Sequence, residues 1–184
     1  MKIGVVVTGL PASGKTTVAR SIADNLSFDL IDKDDFLEDL YELNIVRRWE
    51  DRNKLSRQSD ILFQDAGENS GSAVLVSHWK PVAQGGDSGT PTDWLKAAYT
   101  SLIEVHCSCP ADVALDRFLA RRRHPSHLDE ERDPIELAQW LKKLESGYPL
   151  GVGLVLEVRT DLKVNRQAIV DQLRLLINDG PVNA

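Results

Sequence analysis

The sequence predicts an α/β fold in which a mainly parallel sheet is covered on both faces by helices. Short runs of β-branched and aliphatic residues alternate with segments whose apolar residues recur every three to four positions, a pattern typical of such sheets. The 184 residues suit one full domain and are too few for two of ordinary size. We therefore expect a single domain over residues 1–180, followed by a short tail at 181–184.

Five apolar runs are the predicted strands. The first consists almost entirely of β-branched residues without polar alternation, which indicates burial on both faces of the strand. The fourth carries Glu104 and His106, two side chains that are unusual in a central strand. The predicted strands cover residues 3–7, 28–31, 73–77, 101–107 and 153–158.

Helical periodicity follows the predicted strands. Val18, Ile22 and Leu26 recur every four residues and predict a helix that packs one stripe against the sheet. Pro110 suits the first turn of the helix that begins there. The segment 83–93 is rich in glycine and small polar residues, so we expect a mobile loop there. The predicted helices cover residues 15–26, 33–42, 55–69, 110–122, 134–147 and 169–177.

Composition and charge restrict the binding partners and the cellular compartment that we expect for this protein. The formal charge of −6 argues against a broad nucleic-acid surface. The longest apolar run near the start of the chain falls far short of the ~20 residues that span a bilayer, so we expect no membrane partner. Cys107 and Cys109 cannot form a framework of disulfides, and no signal-peptide pattern is present, so a cytoplasmic protein is predicted.

Residues 9–16 match the phosphate-binding pattern G-x-x-x-x-G-K-[ST] at every fixed position. A predicted strand precedes this P-loop and an amphipathic helix follows it, which is the context that the motif requires. Glycines let consecutive backbone N–H groups point at phosphate oxygens, and the helix N-terminus adds partial positive charge. We expect the following residues to bind a nucleoside triphosphate: Gly9, Pro11, Ala12, Ser13, Gly14, Lys15, Thr16 and Thr17.

Two side chains of the P-loop have separate predicted roles. Lys15 reaches the β- and γ-phosphates as a catalytic residue, and we expect its ammonium group to face solvent when nucleotide is absent. The hydroxyl of Thr16 is a candidate ligand for Mg²⁺. ATP and Mg²⁺ are therefore the predicted substrate and cofactor.

Three carboxylates, Asp32, Asp34 and Asp35, follow the second predicted strand. Carboxylates there can hold the Mg²⁺ shell and accept a proton from an attacking hydroxyl. The alternative is that they only favour the first turn of a helix through its dipole. Strand alternation that persists to Asp34 would point Asp32 and Asp34 in one direction. We assign Asp32 to Mg²⁺, Asp34 to the acceptor hydroxyl as catalytic base, and Asp35 to the helix start.

Arginines at 117, 121, 122 and 123 concentrate positive charge in an acidic chain. Helical spacing places Arg117 and Arg121 on one face and turns the other two elsewhere. The planar guanidinium group is suited to neutralising the charge on a transferring phosphoryl group. A solvated helix end, where cations are favoured anyway, is the alternative. We expect Arg117 and Arg121 to be catalytic residues of a lid at about residues 117–134.

The sequence resembles the small P-loop kinases, whose members include gluconate kinase, shikimate kinase, chloramphenicol phosphotransferase and the kinase domain of polynucleotide kinases. The segment D-K-D at 32–34 is similar to their D-x-D, S-H-W-K at 77–80 is similar to the serine-x-x-lysine segment of gluconate kinases, and residues 117–127 are similar to their lid. The resemblance implies a three-layer P-loop NTPase fold of the nucleoside-kinase type, with five parallel strands in the order 2-3-1-4-5.

Substrate-binding candidates are weaker in sequence. The resemblance points to Ser77 and Lys80, beside Asp34. Trp49 and the arginines at 47, 48 and 52 could form a wall for an anionic or ring-bearing acceptor, although a solvated helix face is the alternative. His78 and Trp79 either touch substrate or cover the edge of the core.

The motifs together predict an ATP-dependent kinase that transfers the γ-phosphoryl group to a hydroxyl of a small molecule. A polynucleotide 5′-hydroxyl kinase is one alternative, but the arginine that usually follows the acidic segment in that group is replaced here by Phe36-Leu37-Glu38. A nucleotide-binding regulatory module with little transfer is the other. No motif closely matches a nucleoside monophosphate kinase, and neither the acceptor nor the oligomeric state can be identified from the sequence.

Overall fold

The computed structural model describes residues 1–81 and 89–178, and its centre is one five-stranded sheet. The strands are β1 (Ile3–Thr8), β2 (Asp29–Asp32), β3 (Ala73–Val76), β4 (Ser101–Ser108) and β5 (Leu154–Arg159). Their order is β2-β3-β1-β4-β5 and their pairings are parallel. The predicted fold class and strand order are thus confirmed. Most of the predicted loop at 83–93, and the predicted tail at 181–184, lie outside the described residues.

Helices follow the strands and cover the sheet on both faces. They are α1 (Lys15–Leu26), α2 (Lys33–Leu43), α3 (Trp49–Asn69), α4 (Leu95–Ala98), α5 (Ala111–Ala120), α6 (Pro134–Glu145) and α7 (Arg166–Asn178). Two short 3₁₀ turns, Pro125–His127 and Asp129–Glu131, lie between α5 and α6.

Helix α3 is longer than the sequence predicts. It begins at Trp49 rather than near residue 55, because the Asp51 side chain accepts hydrogen bonds from the backbone N–H groups of Arg47 and Arg48 and fixes the first turn. The apolar periodicity that defined the predicted helix starts only at Leu55, the first buried residue of α3. The extra turn carries Arg52 to the functional site described below.

The two faces of the sheet pack against different helices because side chains alternate along each strand. Val5 and Val7 lie in the cluster that α1 and α7 complete, whereas Val6 lies in the cluster that contains Phe63 of α3. Trp79 belongs to this second cluster, where it is fully buried and its indole Nε1 donates to the Val7 carbonyl at 3.0 Å. Of the two interpretations of Trp79, the structure supports the core.

Glu104 is a fully buried carboxylate in the central strand β4. Its oxygens accept hydrogen bonds from the Thr8 hydroxyl at 2.7 Å and from the backbone N–H groups of Leu150 and Gly151 at 2.8 and 2.7 Å. These donors offset the desolvation of the carboxylate. The unusual residue in the strand therefore fastens the loop that leads into β5. None of the helices in residues 1–81 and 89–178 is both long and apolar enough to cross a membrane.

Candidate active site

The P-loop connects the buried end of β1 to the first turn of α1. Gly9 and Gly14 have φ angles of 133° and 93°, values that side chains disfavour. A Cβ at Gly9 would also lie 2.5 Å from the Cys107 carbonyl oxygen. Only glycine therefore lets the loop curl at this point, and the curl directs its N–H groups into the space in front of α1. Of the predicted loop residues, Gly9 and Ser13 are not on the wall of the first cleft described below, whereas the remaining six are.

Lys15 is turned back onto its own loop. Its Nζ donates to the carbonyl oxygens of Gly9 at 3.0 Å and Leu10 at 2.8 Å. Burial lowers the pKa of Lys15 from 10.5 to about 8. The expectation that this ammonium group faces solvent is therefore wrong, because the curled loop offers it two carbonyl oxygens. An anion at the loop would replace these neutral acceptors by charged ones.

Thr16 and Asp32 meet at the carboxyl end of β2. The Thr16 hydroxyl donates to Asp32 Oδ2 at 3.0 Å, while Asp32 Oδ1 accepts from the backbone N–H of Asp34 at 3.1 Å and caps α2. Asp32 is buried, and this burial, with the like charge of Asp34, raises its pKa from 3.8 to about 6. The Thr16 hydroxyl and the buried Asp32 carboxylate thus supply oxygen ligands, one of them charged, which suit a hard cation such as Mg²⁺. The capping interpretation of the acidic segment also holds, and the same residue serves both roles.

Asp34 lies on α2 and not on a strand. Strand β2 ends at Asp32 and α2 begins at Lys33, in agreement with the predicted helix at 33–42, so the strand alternation that would have aligned Asp32 with Asp34 does not extend to Asp34. The first helical turn nevertheless brings Asp34 to the same cleft, where its Oδ2 accepts from Arg123 Nη2 at 2.7 Å. Burial alone would raise the pKa of Asp34, but the Arg123 guanidinium holds it below its ordinary value. Asp35 is exposed and is not on the cleft wall.

The arginines of the lid are arranged differently from the prediction. Helix α5 ends at Ala120, so Arg121 lies beyond it and does not share a helical face with Arg117. Arg117 Nη2 donates to the Thr160 carbonyl at 2.9 Å, whereas Arg121 and Arg123 both contact Asp129, at 3.1 and 3.5 Å. All three arginines line the cleft. Arg123 is thus a site residue that sequence reasoning missed, because helical spacing assumed a longer helix. Arg122 is exposed and off the wall.

Histidines of the 3₁₀ segment fasten the lid to α2. His127 is fully buried, and its Nε2 lies 3.0 Å from Glu38 Oε1. The Tyr41 ring stacks on His124 at 5.3 Å between centroids and contacts the His127 ring edge-on at 5.1 Å. Arg52 Nε donates to the His127 carbonyl at 3.1 Å. The lid is therefore packed against α2 and α3 in this structure.

One cleft of about 700 Å³ joins these parts. The P-loop and α1 form one side, the start of α2 and one face of α3 form another, and α5, the lid and α6 close it. Ser77, a predicted substrate residue, is on its wall, and its Oγ is hydrogen-bonded to the Thr90 hydroxyl. Trp49 and Lys80 are not among the described residues of the wall. Trp49 lies behind the arginines that stack on it, and the backbone N–H of Lys80 is bonded to the Thr90 carbonyl.

Helix α3 supplies a polar face of which the sequence interpretation named only Arg52, as a possible residue of an acceptor wall. Arg52, Ser56 and Asp60 line the cleft at intervals of four residues. The Asp60 carboxylate pairs with the buried ammonium group of Lys33 at 2.5 Å. The four-residue spacing is the signal that could have found this face, but it emerges only when α3 starts at Trp49. Arg47 and Arg48, the other arginines of the predicted wall, are exposed and off the cleft.

A second cleft, of about 830 Å³, opens on the other side of the P-loop. It shares Gly14 and Thr17 with the first cleft, and Ser13 lies on its wall. The segment after β5, from Thr160 to Arg166, forms the opposite wall. The P-loop thus separates two spaces that meet at the N-terminus of α1.

Comparisons with known proteins agree with this architecture. The model of the AAA domain family matches residues 5–137. The chain is 24% identical to a cytidylate kinase of Haloarcula marismortui over 127 residues, which are 66% of this chain and 59% of that kinase. It is 28% identical to a UPF0200 protein of Aeropyrum pernix over 173 residues, which are 91% of this chain and 86% of that protein.

Solved structures share the fold at low sequence identity. A candidate kinase from Chloroflexus aurantiacus superposes with a TM-score of 0.74 at 22% identity, with 98% of each chain covered. Shikimate kinase from Acinetobacter baumannii gives a TM-score of 0.62 at 16% identity, with 100% of this chain and 96% of that chain covered. The fold is therefore that of the small P-loop kinases, as the sequence resemblance implied.

Proposed function

Because the chain belongs to the AAA domain family of P-loop proteins, we propose that it is an ATP-dependent kinase that transfers the γ-phosphoryl group to a hydroxyl of a small molecule. The observation that carries this proposal is that the P-loop, the Asp32–Asp34 junction and three arginines of the lid line a single cleft. Phosphoryl transfer needs these three kinds of group side by side: a phosphate cradle, a carboxylate for the acceptor and cations for the transition state.

The two clefts suggest how ATP would lie. The triphosphate would follow the P-loop N–H groups, with Lys15 moving from its two carbonyl acceptors to the β- and γ-phosphates. The adenosine end would occupy the second cleft, which borders the P-loop at Gly14 and Thr17. This arrangement leaves the first cleft for the γ-phosphate and the acceptor.

Thr16 and Asp32 fit Mg²⁺ because their oxygens lie together and the Asp32 carboxylate is buried without a cationic partner among the described residues. These two residues would hold the ion, Asp32 directly or through water. The bound ion would neutralise charge on the β- and γ-phosphate oxygens. The metal ion would thus compensate the charge of a carboxylate that the protein alone leaves in an unfavourable environment.

Asp34 is the proposed contact for the acceptor hydroxyl. The hydroxyl oxygen attacks the γ-phosphorus, the bond from that phosphorus to the bridging oxygen breaks, ADP leaves, and the hydroxyl proton passes to Asp34. Because Arg123 holds the pKa of Asp34 low, Asp34 is a weak base, and the main contribution of Asp34 is to orient the hydroxyl. A loose transition state requires little help from a strong base. A positioned proton acceptor typically contributes about 10²–10⁴-fold in rate.

The lid arginines are proposed to neutralise the transferring group. Arg121 and Arg123 share Asp129 as a counter-ion, and Arg123 also bridges to Asp34. An acceptor hydroxyl that takes the place of Arg123 at Asp34 would release one guanidinium group next to the γ-phosphoryl position. Arg117 is held by the Thr160 carbonyl between the two clefts. Closure of the lid would also exclude water, which competes with the acceptor.

A nucleoside monophosphate acceptor is the second candidate. The similarity to a cytidylate kinase favours it, although the sequence motifs alone do not. In that case the nucleophile would be a phosphate oxygen and the product a phosphoanhydride. A carboxylate such as Asp34 beside the nucleophile repels a phosphate and attracts a hydroxyl, so we place the hydroxyl acceptor first.

A transfer screen with γ-labelled ATP and Mg²⁺ tests the proposal. The acceptors are sugars, sugar acids, polyols, nucleosides, nucleoside monophosphates and a DNA oligonucleotide with a free 5′-hydroxyl. The ³¹P spectrum of the product separates a phosphomonoester from a phosphoanhydride. We expect monoester formation on a small molecule and none with Lys15→Met. Tight ATP binding without transfer to any acceptor would instead favour a regulatory module, and phosphoanhydride formation would favour the second candidate.

A further inference from the structure

We propose that Glu38 and His127 are positioning residues whose contact keeps the lid on α2 while the acceptor binds at Asp34. This inference rests on the proposed kinase function and adds to it how the cleft excludes water while one contact of the lid is exchanged. Three features carry it: a row of carboxylates on α2, the burial of His127, and the bonds that tie the lid segment together.

One face of α2 carries three carboxylates at intervals of four residues, which places them one above the other along the helix. We call this set, Asp34, Glu38 and Glu42, the carboxylate stripe. Each member meets a basic side chain of the lid. The pairs are Asp34 Oδ2 with Arg123 Nη2 at 2.7 Å, Glu38 Oε1 with His127 Nε2 at 3.0 Å, and Glu42 Oε1 with His124 Nε2 at 3.4 Å. The lid is thus attached along the whole stripe rather than at Asp34 alone.

The three pairs differ in burial and therefore in strength. The side chain of Asp34 is 54% exposed and that of Glu42 is 74% exposed, and water weakens ion pairs of that kind. The side chain of His127 is fully buried. Glu38 is about half exposed, but it accepts from a buried donor, and a buried donor without an acceptor bears the full cost of desolvation. The Glu38–His127 pair is therefore the main attachment of the stripe to the lid.

His127 forms this pair as a neutral donor. Burial and then the positive charge of Arg123 lower the pKa of His127 to about 3, so the ring carries a single N–H proton near neutral pH. Because Nε2 faces the Glu38 carboxylate, the proton belongs on Nε2. The Tyr41 ring packs against the imidazole, and the His127 carbonyl accepts from Arg52 Nε at 3.1 Å. Helices α2 and α3 thus hold the lid at the same residue.

Bonds within the lid segment make it one unit. Asp129 accepts from Arg121 at 3.1 Å and from Arg123 at 3.5 Å, which ties the start of the segment to its end. The 3₁₀ turn Pro125–His127 lies between these residues and closes through its own backbone hydrogen bonds. A contact made at His127 therefore also holds the two arginines beside the cleft.

This arrangement separates two events that would otherwise coincide. An acceptor hydroxyl that binds at Asp34 displaces Arg123, whose guanidinium then turns toward the γ-phosphoryl position. If the Asp34–Arg123 pair were the main attachment, the same step would detach the lid and admit water to the phosphoryl group. With the Glu38–His127 pair intact, the lid stays on α2 and only the Arg123 side chain moves, so water remains excluded during transfer.

Lid opening is measured first without an acceptor, by amide hydrogen exchange of segment 121–129 in the protein saturated with Mg²⁺ and a non-hydrolysable ATP analogue. Asp34→Ala removes the pair that the acceptor would displace, and Glu38→Ala removes the pair proposed to hold the lid. We expect exchange to be at least about tenfold faster in Glu38→Ala and within about threefold of wild type in Asp34→Ala. Glu38→Gln keeps a neutral acceptor for His127 and should recover part of the protection. Asp39→Ala, at an exposed carboxylate of α2, is the matched control and should leave exchange unchanged.

Nucleotide release distinguishes a positioning role from a general loss of stability. A lid over the phosphate groups limits release, so a fluorescent non-hydrolysable ATP analogue with Mg²⁺ should dissociate at least about tenfold faster from Glu38→Ala, with its association rate within about twofold of wild type. Since only the lid opens, Tm should stay within about 4 °C of wild type. In the transfer screen, the same variant should form more ADP per phosphomonoester than wild type, because water reaches the phosphoryl group.

Three results would overturn this inference and leave the kinase proposal standing. Faster exchange in Asp34→Ala than in Glu38→Ala would make the Asp34–Arg123 pair the main attachment. Unchanged exchange and unchanged nucleotide release in Glu38→Ala would remove any role for the Glu38–His127 pair, and exchange accelerated across the whole chain would reduce that role to stability. Failure of the wild-type protein to bind the ATP analogue would instead overturn the proposed function, and the same exchange comparison without nucleotide would still test the attachment of the lid.

Discussion

Asp32 offers a direct way to separate stability from function. Its carboxyl group has a pKa of about 6 in the folded protein against 3.8 for an ordinary aspartate, chiefly because it is buried and then because Asp34 lies nearby. A raised pKa means that the ionised form destabilises the folded state at pH above about 6. We therefore predict that Asp32→Asn stabilises the protein in the absence of nucleotide and metal, while it weakens binding of Mg²⁺ with ATP.

The magnitude follows from the shift. Two pKa units correspond to an upper limit of about 3 kcal/mol. Asparagine can still cap α2 and accept from the Asp34 N–H, but one of its terminal atoms is a donor opposite Thr16. We expect a net gain of about 1–2 kcal/mol in the free energy of unfolding, which for a chain of this size raises Tm by about 2–8 °C.

Scanning calorimetry with a chelator at pH 7.5 and at pH 4.5 measures this gain. At the lower pH the wild-type Asp32 is largely protonated in the folded state, so most of the difference between the two proteins should vanish. Asp39→Asn removes the same charge from an exposed position of α2 and serves as the control. A variant that is less stable than wild type at pH 7.5, or a gain that persists unchanged at pH 4.5, would refute this account of Asp32.

Three further predictions concern the nucleotide and the lid. Lys15→Met should weaken ATP binding at least about tenfold without unfolding the protein, as calorimetry and circular dichroism can show; unchanged affinity would contradict the P-loop assignment. Thr16→Ala should weaken binding of ATP with Mg²⁺ more than binding of ATP in a chelator, and equal losses would remove Thr16 from the metal site. Arg121→Ala should lower kcat by up to about 10³-fold, and Arg121→Lys should recover only part of this loss because lysine lacks the planar fork of arginine. Arg122→Ala, at an exposed arginine, is the control. A kcat equal to that of the wild type in all three variants would leave no catalytic role for Arg121.

Local patterns were sufficient for the sheet and the P-loop. Alternating apolar runs and helical periodicity are properties of neighbouring residues, so the mainly parallel sheet and the G-x-x-x-x-G-K-[ST] turn could be predicted from the chain, whereas the strand order came from the family resemblance. The direction of Asp34 relative to Asp32 could not, because Asp32 caps α2 through the backbone N–H of Asp34, so strand alternation does not reach Asp34. The three-dimensional position of the two residues beside the P-loop was still anticipated.

Contacts between distant segments could not be predicted from sequence patterns. Arg123 meets Asp34 across 89 positions, and Arg52 meets the His127 carbonyl across 75. Both depend on where α5 ends and where α3 begins, and element ends are poorly defined by periodicity alone. The acceptor side of the cleft is built from such contacts, so the acceptor could not be identified from the sequence.

The most direct test of the central claim compares Asp34→Asn with Asp35→Asn in phosphoryl transfer from γ-labelled ATP to the best acceptor of the screen. The two substitutions remove one charge each from neighbouring residues of α2, but only Asp34 lies on the cleft wall. We predict that Asp34→Asn binds ATP normally and loses at least about 10² in kcat for transfer, whereas Asp35→Asn stays within about twofold of wild type. Equal and mild effects, or a larger loss for Asp35→Asn, would contradict the claim that the hydroxyl acceptor is oriented at Asp34.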